Sequence, residues 1–220
     1  TNRASLVFGG GQLRYTQSTN ATTDRLFTLG DASGLTGTLS NTGNNYLRFT
    51  NTNEIGYGGS GARTLTLTGT STSTNQFTPV IGDGTGGATS LVKDGSGTWS
   101  LMQTSANTYT GGTTVSNGTL EVSASSTLGA NVAGNDTVIS GVGRLILDAG
   151  TNVGGNQAVT FVAVPVPTTG YINGGQPQLT VAYDGALPTF AADSQAGVIA
   201  LGASYTQELD FSTLPAGMQE

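Results

Sequence analysis

The chain of 220 residues has no cysteine and no histidine, and only one lysine, Lys93. Without cysteine there is neither a disulfide scaffold nor a thiolate metal site. Without histidine, the Ser-His-Asp and Cys-His arrangements are excluded, and with them the most common general base. Charged residues make up only 9% of the chain, against roughly a quarter in ordinary domains. The net charge of −6 and a pI of about 4.3 argue against a nucleic-acid partner, because phosphate neutralisation needs clustered Lys and Arg. No apolar run approaches a membrane span, so a transmembrane segment is not expected in this chain. Residues 1 to 20 lack the basic-then-apolar order of a signal peptide, and the chain reads as a mature product or an excerpt.

What is present is glycine, 35 residues of it, together with Thr, Ser and Asn. Counting glycine with the hydrophobic residues brings the apolar share close to that of globular chains, so a core can be buried. The modest net charge and the many β-branched and aromatic residues set the chain apart from disordered sequences. A helical stripe of apolar residues persists nowhere. Instead, apolar clusters at 26–29, 35–39, 47–49, 55–57, 65–67 and 77–81 recur at a spacing of roughly 8–12 residues. That spacing, with turn residues between, indicates an all-β sandwich, barrel or solenoid. In a three-faced solenoid, three such steps would make a turn of roughly 30 residues.

The stretch Leu91 to Val122 has the clearest pattern. Trp99 with Leu101, and Leu120 with Val122, fall on one side of their strands by period-two alternation. Asn117-Gly118 between two short strands fits either a hairpin or a solenoid corner, and the shortness of the strands favours the corner. An internal repeat is expected in which 64–67 maps onto 98–101, and 75–78 onto 107–110, at offsets of 32 to 34 positions. Further strands are expected at 137–139, 144–147 and 158–164. The continuous apolar run Leu145-Ile146-Leu147 suits a strand covered on both sides. Pro165 and Pro167 end that region. After them come β-like runs at 179–183, 198–201 and 209–211.

The core GSGTWSLMQTSANTYTGGTTVSNGTLEV, with Gly-x-Gly-Thr-aromatic-x-Leu, Asn-Thr-Tyr-Thr-Gly and Gly-Thr-Leu-x-Val in succession, resembles the autotransporter-associated β-strand repeat, or passenger-associated transport repeat, of long bacterial surface proteins. The resemblance implies an elongated right-handed parallel β-helix, a β-solenoid. It also implies a place outside a Gram-negative-type cell or on its outer surface. On this reading residues 1–164 are solenoid turns, including the repeat at 91–122, and 165–220 are a less regular β continuation or the start of a further module. The implied role is structural or adhesive, as a stalk or self-assembling fibre. Lateral or end-to-end self-association and surface glycans are the partners considered. A carbohydrate-binding or glycan-processing β-helix is the alternative.

No catalytic, cofactor-binding or metal-ligating residue is assigned. Asp31, Asp83, Asp94, Asp148 and Asp184 each sit beside Gly or Ala and read as turn residues. Gly9-Gly10-Gly11 lacks the context of a phosphate loop, and Asp83-Gly84 lacks that of a calcium loop. Lys93 reads as a solvated lysine before a turn. Trp99, Tyr109 and Phe77 read as core in preference to a sugar-stacking platform. Thr64-Leu-Thr-Leu-Thr and the tract Thr68 to Thr74 place hydroxyls on one strand face. An ice-contact reading of that array is set aside, because it does not recur at a fixed turn length.

Overall fold

The computed structural model describes residues 5–32, 34–123, 128–148, 152–153, 156–161, 178–181 and 189–190. Among them there is no α-helix. The strands are short and numerous: β1 (Val7–Phe8), β2 (Gln12–Tyr15), β3 (Ala21–Thr23), β4 (Thr28–Leu29), β5 (Thr36–Asn41), β6 (Leu47–Phe49), β7 (Gly56–Tyr57), β8 (Arg63–Gly69), β9 (Asn75–Phe77), β10 (Thr89–Lys93), β11 (Thr98–Leu101), β12 (Thr113–Val122), β13 (Thr137–Leu147), β14 (Asn152–Val153), β15 (Val159–Phe161), β16 (Gln178–Val181) and β17 (Thr189–Phe190). Every pairing between them is parallel. The chain is therefore a parallel β-solenoid, of about six turns, with three sides.

The first side stacks β2, β5, β8, β10, the first half of β12, the first half of β13, and β15. The second stacks β3, β6, β9, β11 and the second halves of β12 and β13, then β16. The third begins with β1, β4 and β7. It continues through hydrogen-bonded loop, in which Thr108 N donates to Ile81 O. Thr108 to Thr110 thus belong to this side without forming a strand, although Tyr109 is fully buried.

Burial alternates as period two requires. In β8 the inward residues Arg63, Leu65, Leu67 and Gly69 are buried, and the intervening threonines are half-exposed. Stacking carries each inward position into a column. Leu39, Leu67, Lys93, Val115 and Ile139 form one such column, and Phe49, Phe77, Leu101, Val122 and Leu147 another. Phe27 lies with Phe8, Phe49 and Phe77 at centroid separations of 5.1 to 6.2 Å, edge-on or tilted, as ring quadrupoles prefer. A single core runs the length of the stack.

Several expectations are corrected. Leu65 pairs with Leu91, and Trp99 pairs with Asn75, so 64–67 and 98–101 lie on different sides. The anticipated repeat of 32 to 34 positions oversteps a turn by one side. Up to β13, successive register partners are separated by 21 to 28 residues, less than the roughly 30 expected. At one corner the strand is continuous. β12 runs unbroken from the first side to the second through Asn117-Gly118, where Gly118 takes φ +63°. Parallel pairing on both flanks makes this a corner and excludes the hairpin. In the run Leu145-Ile146-Leu147 only the leucines are buried, and Ile146 points outward, half-exposed. Of the later expectations, 179–183 overlaps β16, which pairs with β13. The runs at 198–201 and 209–211 lie outside the described residues.

Candidate functional site

Two interior cations and one sparsely charged outer face distinguish this solenoid. Lys93 was read as solvated and is instead fully buried, one strand above Leu67 and one below Val115. Its side chain turns along the core towards the corner. There Nζ donates to the carbonyl oxygens of Asp94 (2.8 Å), Gly95 (2.7 Å) and Asn117 (2.9 Å). All three ammonium donors are thus matched, which a buried amine requires. Burial lowers its pKa from the ordinary 10.5 to about 8, against an opposing pull from Asp94.

Arg63 is the second buried cation, at 1% exposure. It opens β8, and its guanidinium donates to the carbonyls of Gly58, Gly59 and Gly61 in one loop and of Asp83, Thr85 and Gly87 in the loop one turn on. Its planar fork of five donors suits such a ring of acceptors. Sequence reasoning missed it, although Arg63 stands in phase with the inward Leu65 and Leu67.

Buried amides fasten the loops between turns. Asn41 Nδ2 donates to Asn75 Oδ1 (2.6 Å), which also accepts from Leu47 N, and Asn75 Nδ2 donates to Thr98 O. Asn107 Oδ1 accepts from Ile81 N, and Asn135 Oδ1 from Gly112 N. Their trace in the sequence is an asparagine at or near a strand end or an aromatic position: Asn41 closes β5, Asn75 opens β9, Asn107 precedes Tyr109 and Asn135 precedes β13.

The carboxylates are occupied in the same way. Asp83 accepts from Thr89 N and Thr110 N through Oδ1, and from Thr110 Oγ1 through Oδ2, joining two turns. Asp31 accepts from Gly34 N, and Asp94 from Ser116 Oγ. Asp148 is exposed, and Asp184 lies outside the described residues. Glu54 and Asp83 both bear on Tyr57, whose hydroxyl accepts from Gly82 N; burial above all, then Glu54, holds that phenol well above its ordinary pKa. Among the described residues no three acidic side chains gather to hold a metal. Trp99, Tyr109 and Phe77 are all at 0% exposure and form no sugar platform. Trp99 Nε1 donates to Thr68 O, and Tyr109 shares a hydrogen bond with Thr113 Oγ1.

What remains for contact is the outside. On the first side Gln12, Thr38, Thr66, Val92, Thr114, Val138 and Thr160 fall in one register row. Unequal turn lengths do not disturb the row, because the loops absorb the differences; Val92 and Val138 interrupt its hydroxyls. The tract Thr68 to Thr74 does not extend it: the strand ends at Gly69, and Ser71 is buried, donating to Asn45 O. Arg14 at one end and Asp94 at the corner are the nearby charges on this face. The second side is different, and carries Arg48, Glu121 and Arg144 on its outside. Burial raises the Glu121 carboxyl, Asp148 adds to the rise, and Arg144 opposes it.

A family model described as the passenger-associated-transport repeat matches residues 91–122. The match spans β10, β11 and β12, which is one turn and the first two sides of the next. Over 155 residues, 69% of its length, the chain is 34% identical to "Adhesin BmaC autotransporter" of Brucella suis biovar 1 (strain 1330). It spans 4% of that relative. No solved structure matches.

Proposed function

This chain is a repeat segment of the autotransporter passenger kind, and from that premise we propose that it is a structural and adhesive segment of a bacterial surface protein, held outside the cell. The observation that carries this reading is the unbroken core and ladder. Each turn contacts only its neighbours, so reach grows by repetition, and loops vary without disturbing the register. The relative is named an adhesin. Asp31, Asp83 and Asp94 serve the turns, which fits a mechanical role better than glycan processing.

The sparsely charged first side is the contact face on this reading, either for another copy of the same segment or for a surface glycan. Its hydroxyls and valines cost less to desolvate than charged side chains would. A long parent would repeat weak contacts many times, and linked contacts gain strength from effective concentration.

Antibodies raised against residues 5–161 should label intact cells that carry the parent protein. Labelling only after permeabilisation would refute surface display. In a displayed segment, Thr66→Lys with Thr114→Lys should reduce cell–cell or cell–glycan attachment while the circular dichroism stays unchanged. Undiminished attachment would remove this face from consideration.

A further inference from the structure

The Asn117-Gly118 corner brings together the parts of a self-modification site. Gly118 N lies 2.8 Å from Asn117 Oδ1, so the backbone nitrogen sits beside the side-chain carbonyl of the preceding residue. Lys93 Nζ donates to Asn117 O, the carbonyl conjugated with that same nitrogen, at 2.9 Å. A cation placed there stabilises the negative charge that develops when the Gly118 amide loses its proton, because the charge is shared with that oxygen. Asn117 is half-buried and so within reach of water. Glycine is held at 118 by its φ of +63° and by space: a Cβ would lie 2.3 Å from Gly95 O and 2.4 Å from Gly97 O. The residue least able to shield Asn117 from attack is thus the one the corner demands.

We propose that Asn117 modifies itself in the folded protein, with Lys93 as the positioning residue. Gly118 N bonds to Asn117 Cγ as the bond from Cγ to the side-chain nitrogen breaks. The proton from Gly118 N leaves with that nitrogen as ammonia. Water then opens the cyclic imide, its hydroxyl adding to one carbonyl carbon and its hydrogen returning to the nitrogen. The products are aspartate or isoaspartate, with no oxidant or reductant involved. Either product sets a carboxylate near the Lys93 ammonium. Isoaspartate also adds one carbon to the backbone at a corner that fixes the turn.

The test follows the purified 220-residue chain with time, folded and in denaturant, at one pH and temperature. Peptide mapping by mass spectrometry separates Asn117 from the chain's second Asn-Gly pair, Asn173-Gly174. Asn117 should convert in the folded chain at least as fast as in the denatured one. Lys93→Met, checked for retained β-structure, should slow the folded reaction about tenfold and leave the denatured reaction unchanged. Should that variant fail to fold, the unmodified chain still decides the matter. Lys93 loses its proton near pH 8, with Asp94 the charged group acting on it. From pH 7 to 9 the folded rate should therefore rise less steeply than the denatured rate. An intact Asn117 in the folded chain, a Lys93→Met rate equal to wild type, or parallel pH slopes would each overturn the proposal.

Discussion

The Nζ of Lys93 and the carbonyl oxygen of Asn117 are 2.9 Å apart, although the two residues belong to successive turns. The contact ties the Asp94-Gly95 bend of one turn to the Asn117-Gly118 corner of the next, and it does so from inside the core. It makes the chain's single lysine an internal fastener, and it sets the pH behaviour of the fold.

Between about pH 8 and 10.5 the unfolded chain holds a proton on Lys93 that the folded chain has released. The unfolded state binds more protons there, so stability rises with pH, by at most about 1.4 kcal/mol per unit. Above about pH 10 the sign reverses, because burial raises Tyr57 and Tyr109 and only the unfolded chain ionises them readily. Denaturant midpoints measured from pH 7 to 11 should pass through a maximum. A monotonic fall from pH 7 would contradict the buried Lys93.

Trp99→Ala should cost about 3–5 kcal/mol. The indole is fully buried between Asn75 and Leu120 in the register, and its removal also leaves Thr68 O without its donor. Chemical denaturation checks this, and an unchanged midpoint would place Trp99 outside the core.

Asp83→Ala should destabilise by about 2–4 kcal/mol, since it leaves the amides of Thr89 and Thr110 without acceptors. Cell attachment should be unaffected beyond the loss of folded protein. A stable Asp83→Ala variant with lost attachment would reassign Asp83 from turn to ligand.

Two glycine substitutions should differ sharply. Gly69 has φ +119° and a Cβ there would lie 2.0 Å from Asn41 O, so Gly69→Ala should cost about 3 kcal/mol or more. At Gly134 φ is +85° with nothing within 4 Å, and only the backbone penalty of about 1–2 kcal/mol should appear. Equal unfolding midpoints for the two variants would refute close stacking at Gly69.

Much of the architecture was legible in the residues. Period-two alternation is local, so Leu65, Leu67, Trp99, Leu101, Leu120 and Val122 declare their inward side from neighbours alone. The short strands and Asn117-Gly118 marked a corner. The absence of histidine and cysteine excluded whole classes of chemistry before any fold was known.

The phase of the solenoid was not legible. Each side looks alike in sequence, so 98–101 resembled 64–67 while pairing with 75–77 instead. Only hydrogen bonds between turns decide which side a strand joins. Periodicity puts Lys93 and Arg63 in phase with inward leucines, but it could not supply their acceptors, which include carbonyls two dozen residues away brought close by stacking. Local periodicity therefore determined which residues face inward, while the stack of turns decided what they meet there.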